Sequence, residues 1–184
     1  MDLFAAIETR ASALKLRDPA PSHDHLQRIL QAGGRAPDHG KLAPWRFTVI
    51  QGEARHALGE LMAQSLKARN PEADADELRR EHNKALRAPC IIAVAAHITP
   101  SQKAPEVEQL LAAGAATQNM LLAAHALGYG AMWKTGPAAY NPAIKTALGF
   151  AEEDHLVALI YLGSIEIAGE PRASVLDERV KWME

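Results

Sequence analysis

The chain has 184 residues and a mass of 19.9 kDa, a size at which one domain can bury a substantial core without disulfides or metals. Its hydrophobic fraction of 48% and charged fraction of 23% are typical of globular proteins, which excludes the disordered and membrane classes. The formal net charge of −2, with acidic and basic residues interspersed, offers no broad cationic field, so nucleic-acid binding is not expected. We therefore expect a single domain over residues 1–184.

Apolar periodicity and turn residues divide the first half of the chain into helices and one strand. Ser22 fits the N-cap position of a helix that ends at Gly33 and Gly34. The charged helices further on are expected to present solvated faces. The first half is predicted to contain a strand that begins at Trp45 and four helices, over residues 2–9, 23–34, 53–70 and 74–87.

The second half is dominated by a long apolar helix over Val107–Gly128, whose residues are apolar or small around almost the full circumference. Such a helix belongs in an interior, and in a domain of this size it also suggests a subunit interface, which predicts a homodimer. The remaining predicted elements are strands over Pro89–Ala96, Tyr129–Thr135 and His155–Gly163 and a short helix over Pro142–Leu148. Because strands and helices alternate, the pattern alone predicts a parallel, doubly wound sheet.

Cys90 is the only cysteine, so neither an intramolecular disulfide nor a cysteine-based metal site is expected. It lies in the apolar run PCIIAVAA, where we expect a small buried hydrophobe and not a nucleophile. The eight histidines are scattered without a paired metal-binding motif, so no metal is expected. The N-terminal MDLFAAIETR has an acid where a secretory signal has basic residues, which predicts a cytoplasmic protein.

Three short segments contain residue types that bind cofactors. The stretch Arg35–Ile50, RAPDHGKLAPWRFTVI, joins a loop rich in Pro, Gly and charge directly to a strand, and such loops often bind ligands. Arg10 and Ser12 lie two residues apart near the N-terminus, and GYGAMWKTG over Gly128–Gly136 ends a strand at a glycine turn. Taken singly, a surface loop, an incidental Arg-x-Ser and a buried tryptophan at a strand end produce the same patterns.

In this order, the three segments resemble the nitroreductase family of FMN-dependent oxidoreductases, most closely its small single-domain branch, and the likeness covers nearly the whole chain. The resemblance implies an α+β, three-layer fold with a mixed, mainly antiparallel sheet flanked by helices, in place of the parallel sheet. It also implies a homodimer that holds FMN at its interface. The C-terminal tail over residues 164–184, which keeps several apolar residues, would cross to the partner and add a strand to its sheet.

The resemblance places the phosphate of FMN at Arg10, Ala11 and Ser12, where the arginine supplies a fork of N–H groups and the serine a hydroxyl. Ala11 and Leu14 stand where relatives commonly have arginine, which leaves the phosphate short of positive charge. Arg172 in the tail resembles a C-terminal basic residue that contacts the phosphate, and an ordinary surface arginine is the alternative.

The loop segment APDHGKLAPW resembles the family segment that lies along the flavin ring across the dimer interface, and it places Arg35, Pro37 and His39 beside the ring. Lys41 replaces the usual asparagine and Ala43 the usual glutamine, so the hydrogen bonds of relatives do not carry over at these positions. A lysine charge near N1 and O2 of the flavin would instead stabilise negative charge on the reduced ring.

The strand end AMWKTG resembles the segment that meets N5 and O4 of the flavin. The resemblance implies that Trp133 packs on the ring and that the backbone amides of Thr135 and Gly136, which follow Lys134, contact its polar edge.

The function implied by the resemblance is transfer of two electrons from NADH or NADPH through FMN to a nitroaromatic, quinone or related acceptor in ping-pong order. The flavin carries the chemistry, so no catalytic side chain is expected. The sequence contains no GxGxxG unit and no P-loop, so the nicotinamide would bind transiently. The alternative is a flavin-binding or partner-binding dimer without turnover, which the departures at Ala11, Leu14, Lys41 and Ala43 motivate.

Overall fold

A computed structural model describes residues 1–184, apart from the side chain of Asp177. The helices are α1 (Leu3–Thr9), α2 (His23–Gly33), α3 (Ala54–Arg69), α4 (Ala75–His82), α5 (Glu106–Ala126) and α6 (Pro142–Ala147). The strands are β1 (Lys15–Arg17), β2 (Trp45–Gln51), β3 (Cys90–Ala96), β4 (Gly130–Lys134) and β5 (His155–Ile167). Short 3₁₀ helices cover His39–Lys41, Asn83–Leu86, Pro137–Tyr140 and Asp177–Arg179.

The five strands form one sheet in the order β1-β5-β3-β2, and β4 pairs with β5 beside this path. Every pairing between the described strands is antiparallel. The parallel sheet predicted from alternation is therefore wrong, because a buried strand is an apolar run in either direction and its sequence does not encode the direction of its neighbour. The α+β class with an antiparallel sheet flanked by helices is confirmed. A parallel strand, which would make the sheet mixed, could then come only from outside these pairings, such as the partner's tail, and stays a prediction.

The core has two halves, one on each face of the sheet. Ile91 and Ile92 of β3 are both fully buried, and successive strand residues point to opposite faces. Ile91 packs in a cluster with Leu58 of α3 and Ile144 of α6, whereas Ile92 packs in a second cluster with Met120 of α5. The sheet is therefore the middle of three layers, and the apolar run of β3 is buried on both sides as predicted.

The predicted start of α2 is confirmed, since the Ser22 side chain accepts a hydrogen bond from the His25 backbone N–H at 3.3 Å. Other features differ from the prediction: the strand predicted over His155–Gly163 continues to Ile167, so residues 164–167 belong to β5 and not to the tail. The helix expected to reach Arg87 ends as an α-helix at His82 and continues as the 3₁₀ helix Asn83–Leu86. Strand β1 was not predicted, because three residues carry no periodicity and only pairing with β5 defines them.

Helix α5 is not buried around its full circumference within one chain. Eight of its residues are buried, among them Ala116 and Met120, but Val107 and Leu111 on the other side are 59% and 67% exposed. Leu3, Phe4 and Ile7 of α1 are exposed as well. Among the described helices, none is long and apolar enough to cross a membrane.

The tail beyond β5 has one 3₁₀ turn, Asp177–Arg179, among its described residues. Five apolar side chains of this tail are solvent-exposed in one chain: Val175, Leu176, Val180, Trp182 and Met183. Exchange of this tail across a dimer stays a prediction.

Candidate functional site

The segment after α1 forms one side of a small cleft of about 80 Å³, which we name the Arg10 cleft. This volume corresponds to roughly two or three water molecules, so it suits a small group and not a three-ring system. The cleft is lined by Thr9, Arg10, Ala11, Ala13, Leu121, His125, Tyr129, Gly130, Ala131, Ile165, Ala168 and Gly169.

Backbone hydrogen bonds fix the position of the Arg10 segment between two strands. The Ala13 N–H donates to the Ala131 carbonyl at 3.1 Å, and the Leu14 N–H donates to the Ile167 carbonyl at 2.9 Å. Gly169 at the start of the tail approaches the Ser12 carbonyl so closely that any side chain at position 169 would collide with it. Ser12 is exposed beside the cleft and does not line it.

The loop between α2 and β2 contributes to a second, wider cleft of about 340 Å³, which we name the His39 cleft. It lies against the N-terminal half of α5 and is lined by Pro37, Asp38, His39, Glu108, Leu111, Ala112 and Ala115. The His39 Nδ1 and Glu108 Oε2 atoms are 2.5 Å apart, which links the loop to α5. Arg35 and Lys41 are exposed and line none of this cleft.

The loop holds an unusual backbone conformation. Lys41 and Ala43 have φ values of 55° and 46°, in the left-handed region that residues with a side chain rarely adopt. The Asp38 carboxylate helps to hold the turn, because its Oδ2 accepts the Ala43 N–H at 2.6 Å. Backbone strain of this kind is concentrated at ligand sites.

The end of β4 opens onto a third cleft of about 180 Å³, which we name the Gly136 cleft. It is lined by Met62, Glu81, Lys84, Arg87, Lys134, Thr135, Gly136, Pro137, Ala138 and Tyr161. Gly136 has a φ of 67° and open space where a side chain would stand, so its backbone is accessible. Glu81 is largely buried and its Oε2 lies 2.6 Å from Lys84 Nζ, which fixes that ammonium at the cleft.

Tyr161 of β5 contributes a neutral phenol to the Gly136 cleft. Burial raises the pKa of its hydroxyl to about 12, with the Arg87 charge opposing the rise and the Glu81 charge adding to it. The hydroxyl therefore stays protonated at neutral pH and can donate a hydrogen bond to a ligand.

Trp133 does not line the Gly136 cleft. Its indole Nε1–H donates to the Val157 carbonyl at 3.1 Å, and the ring is 39% exposed. Because side chains alternate along β4, Trp133 lies on the face opposite Met132 and Lys134. In a single chain, Lys134, Thr135 and Gly136 therefore come together and the tryptophan does not join them.

Within one chain seven of the predicted residues are divided among the three clefts, whereas Ser12, Arg35, Lys41, Trp133 and Arg172 line none of them. Arg10 and Ala11 lie in the first, Pro37 and His39 in the second, and the β4 end in the third. Arg172 is exposed, and among the described residues it makes no hydrogen bond or ion pair.

Three lining residues of the Gly136 cleft, Glu81, Lys84 and Arg87, were missed by the sequence analysis. A glutamate three residues before a lysine is also the pattern of a solvated helix face. The available signal was weak: the apolar strand that begins at Cys90 requires the preceding segment to approach the core.

Cys90 is fully buried in β3, as predicted. Burial raises the pKa of its thiol to about 12, with the Arg55 charge opposing the rise. The thiolate is therefore not populated at neutral pH, and a nucleophilic role for this cysteine is excluded. Across the described residues, no group of three or more His, Cys, Asp or Glu side chains is placed to hold a metal ion.

The sequence matches the model of the Nitroreductase family over residues 7–164. Curated bacterial relatives carry the name "Putative NAD(P)H nitroreductase". YdjA of Escherichia coli strain K12 is 37% identical over 177 residues, which cover 96% of each chain, and the Haemophilus influenzae protein is 40% identical over 182 residues, which cover 97% of each.

Solved structures agree with these sequence relatives. A nitroreductase-like family protein of Bacillus cereus superimposes with a TM-score of 0.87 and 26% identity, and the match covers 100% of this chain and 97% of that one. A Desulfovibrio desulfuricans protein solved in complex with FMN superimposes with a TM-score of 0.76 and 28% identity, over 98% of this chain and 96% of that one. The chain therefore belongs to the nitroreductase family, a family of oxidoreductases.

Proposed function

We propose that residues 1–184 form one FMN-binding unit of a homodimeric NAD(P)H oxidoreductase. Support comes from the family and from the relative that is solved with FMN. The chemistry that FMN supplies when bound is two-electron transfer, from NADH or NADPH to a nitroaromatic, quinone or related acceptor in ping-pong order. The acceptor class, the kinetic order, the dimer and a cytoplasmic location are all parts of this proposal.

The observation that carries the proposal is the donor set of the Gly136 cleft. A flavin gains negative charge at its pyrimidine edge when it is reduced, so its site needs nearby cations and free backbone N–H groups. Lys84, Arg87 and Lys134 supply cations around the accessible backbone of Thr135 and Gly136. The residue types present therefore suit the polar edge of the flavin ring.

Lys84 would supply, within the same chain, a charge of the kind predicted for Lys41, whose own role across a dimer interface stays a prediction. Lys41 is exposed on the loop, whereas Lys84 lines the Gly136 cleft and is held there by Glu81. A cation whose position is fixed before binding stabilises developing charge without reorganisation. Lys41 of one subunit would reach the ring only from across a dimer interface.

For the phosphate, we assign Arg10, Ala11 and Ser12 as the binding segment. The Arg10 guanidinium offers parallel N–H donors that match phosphate oxygens, and the small volume of the Arg10 cleft suits this group. The close approach of Gly169 to Ser12 brings the start of the tail beside the segment. Arg172 lies three residues further along this tail. Arg35, Pro37 and His39 would contact the ring from the partner subunit.

Exposed apolar surface supports the dimer. Leu111 is 67% exposed on α5 and also lines the His39 cleft, and Phe4 of α1 is 74% exposed. Packing a second copy against α5 would bury this surface and would cover the His39 cleft with the partner's residues. The separation of the three clefts in one chain is consistent with a site that two chains complete.

The dimer is tested by sedimentation of the wild type, Leu111→Asp and Phe4→Asp. We expect the wild type to sediment with twice the mass of one chain and each variant to shift toward monomer, because a buried carboxylate in an apolar interface is strongly unfavourable. Tyr140→Asp, at an exposed aromatic residue that lines none of the three clefts, is the control and should stay dimeric. A monomeric wild type that retains FMN tightly would contradict the shared site.

Turnover is tested on the purified protein by absorption spectroscopy. We expect a flavin spectrum that bleaches on anaerobic addition of NADH or NADPH and returns when a quinone is added. Bound flavin that neither nicotinamide bleaches would identify the alternative, a flavin-binding dimer without turnover. A colourless protein that takes up no added FMN would exclude both.

A further inference from the structure

His125 lies in the last turn of α5 and lines the Arg10 cleft, and the proposed function gives it no role. Its imidazole shares the cleft with the Arg10 side chain. The segment that carries Arg10 is also linked to this ring directly, since Thr9 Oγ1 and His125 Nε2 are 2.9 Å apart.

The hydrogen bonds of Thr9 determine which ring nitrogen carries the proton. The Thr9 hydroxyl donates its one hydrogen to the Ala5 carbonyl at 2.6 Å, so its oxygen can only accept from His125 Nε2. The neutral ring is therefore the Nε2–H tautomer, with a lone pair on Nδ1. Among the described residues, Nδ1 has no hydrogen-bond partner. Nδ1 is thus the position at which the ring would take up a proton.

The cleft is short of positive charge for a phosphate. A phosphate monoester carries a charge of about −1.5 to −2 near pH 7. While the ring of His125 is neutral, Arg10 is the only charged residue among those lining the cleft, and Ala11 supplies no charge. A second cation beside Arg10 would therefore match the ligand better than Arg10 alone.

The surroundings of His125 favour a neutral ring until an anion arrives. Burial, and next the Arg10 charge, lower the pKa of His125 from its ordinary value. The other titratable group that faces the cleft is Tyr129, whose hydroxyl lies 2.9 Å from Nδ1 of His25 on α2. The end of β5 and the start of the tail contribute only the uncharged Ile165, Ala168 and Gly169 to the lining of the cleft. An anion in the cleft would offset both causes and raise the pKa of the ring.

We propose that His125 is a second phosphate-binding residue, which takes a proton from solvent at Nδ1 and donates it in a hydrogen bond to the phosphate of FMN. This inference rests on the proposed FMN function. The lowered pKa of His125 determines the direction of the pH dependence. Because protonation of the ring accompanies phosphate binding, the contribution of His125 to FMN affinity is large at low pH and disappears as the pH rises and the ring stays neutral.

The test is the dissociation constant of FMN for the wild type and His125→Gln, measured by flavin fluorescence at about pH 6 and about pH 8.5. Glutamine keeps a donor for Thr9 but takes no proton. We expect the variant to bind FMN about tenfold more weakly at the lower pH and within about twofold of the wild type at the higher pH, given the usual strength of charge-assisted hydrogen bonds. His23→Gln, at an exposed histidine of α2, should match the wild type at both.

Riboflavin, which has no phosphate, separates this inference from a general effect on the fold. We expect the wild type and His125→Gln to bind riboflavin equally at both pH values. An FMN difference that is independent of pH, absent, or equally large with riboflavin would overturn the role of His125. A wild type that binds no FMN would overturn the proposed function itself.

A second measurement avoids any variant that fails to fold. In histidine-labelled wild-type protein, the NMR titration of His125 should show its pKa rising by at least about one unit when FMN is added, because a nearby anion favours the charged ring. Riboflavin should leave the titration unchanged. An unchanged titration with saturating FMN would overturn the inference while leaving FMN binding intact.

Discussion

Ile160→Ala is expected to lower the free energy of unfolding by about 3 kcal/mol, within the usual range for truncating a buried isoleucine. Ile160 is fully buried in β5, where its cross-strand neighbours are Ile92 of β3 and Trp133 of β4. It also belongs to the cluster that packs the sheet against α5 through Met120. The truncation would leave a cavity between the sheet and α5 that the paired strands can close only in part.

The matched control is the same substitution at Ile167, in the same strand but 50% exposed, where we expect a loss of about 1 kcal/mol or less. Both variants should be unfolded in urea at one protein concentration and one excess of FMN, because dimerisation and ligand binding each add to apparent stability. Equal losses at the two positions would show that the core does not centre on the β3–β5 contact.

Much of the fold could be predicted from local patterns. The apolar run of β3 and the capped start of α2 are determined by residues that are close in sequence, and both predictions are confirmed. Strand direction could not be predicted in this way, because a doubly buried strand has the same composition in parallel and antiparallel sheets. The resemblance supplied the antiparallel class that periodicity missed. β1 exists only through its pairing with the end of β5, a contact between residues about 150 positions apart.

The candidate site was predicted only through the resemblance, and only in part. The Arg10, His39 and Gly136 segments each line a cleft, but no local pattern shows that these clefts are separate in one chain. Lys84 was interpreted as part of a solvated helix face. Lys84 lies in the 3₁₀ helix that follows α4, and no local pattern distinguishes this turn from a continuation of the α-helix. His125 lies within the apolar helix predicted over Val107–Gly128, where no local pattern indicates a binding role.

The loop around His39 can be interpreted as a simple connection between α2 and β2 or as a binding segment, and its backbone conformation distinguishes the two. The left-handed conformations at Lys41 and Ala43 cost free energy that solvated loops normally avoid. The His39–Glu108 pair and the Asp38–Ala43 hydrogen bond hold the loop in this shape against α5. A loop that is held in a strained shape beside exposed apolar surface is better explained by a partner and ligand at this position than by a simple connection between α2 and β2.

Arg10→Ala is expected to weaken FMN binding by about 10- to 100-fold, because a charge-assisted hydrogen bond contributes about 1.5–3 kcal/mol. Arg10 caps the end of α1, and its backbone N–H donates to the Ala6 carbonyl, so the truncation leaves the segment in place while removing the guanidinium. Arg10→Lys should bind with intermediate affinity, since lysine keeps the charge but not the paired N–H donors. Dissociation constants from flavin fluorescence measure the effect.

The controls for Arg10→Ala separate the phosphate from the ring and the site from the surface. Riboflavin should bind the wild type and Arg10→Ala with the same affinity, because it lacks the group that the guanidinium contacts. Arg28→Ala removes an exposed arginine of α2 that lines none of the three clefts, and it should leave FMN affinity unchanged. If Arg10→Ala retains wild-type affinity for FMN, or weakens riboflavin to the same degree, the phosphate lies elsewhere on the chain, and the assignment of the Arg10 cleft is wrong.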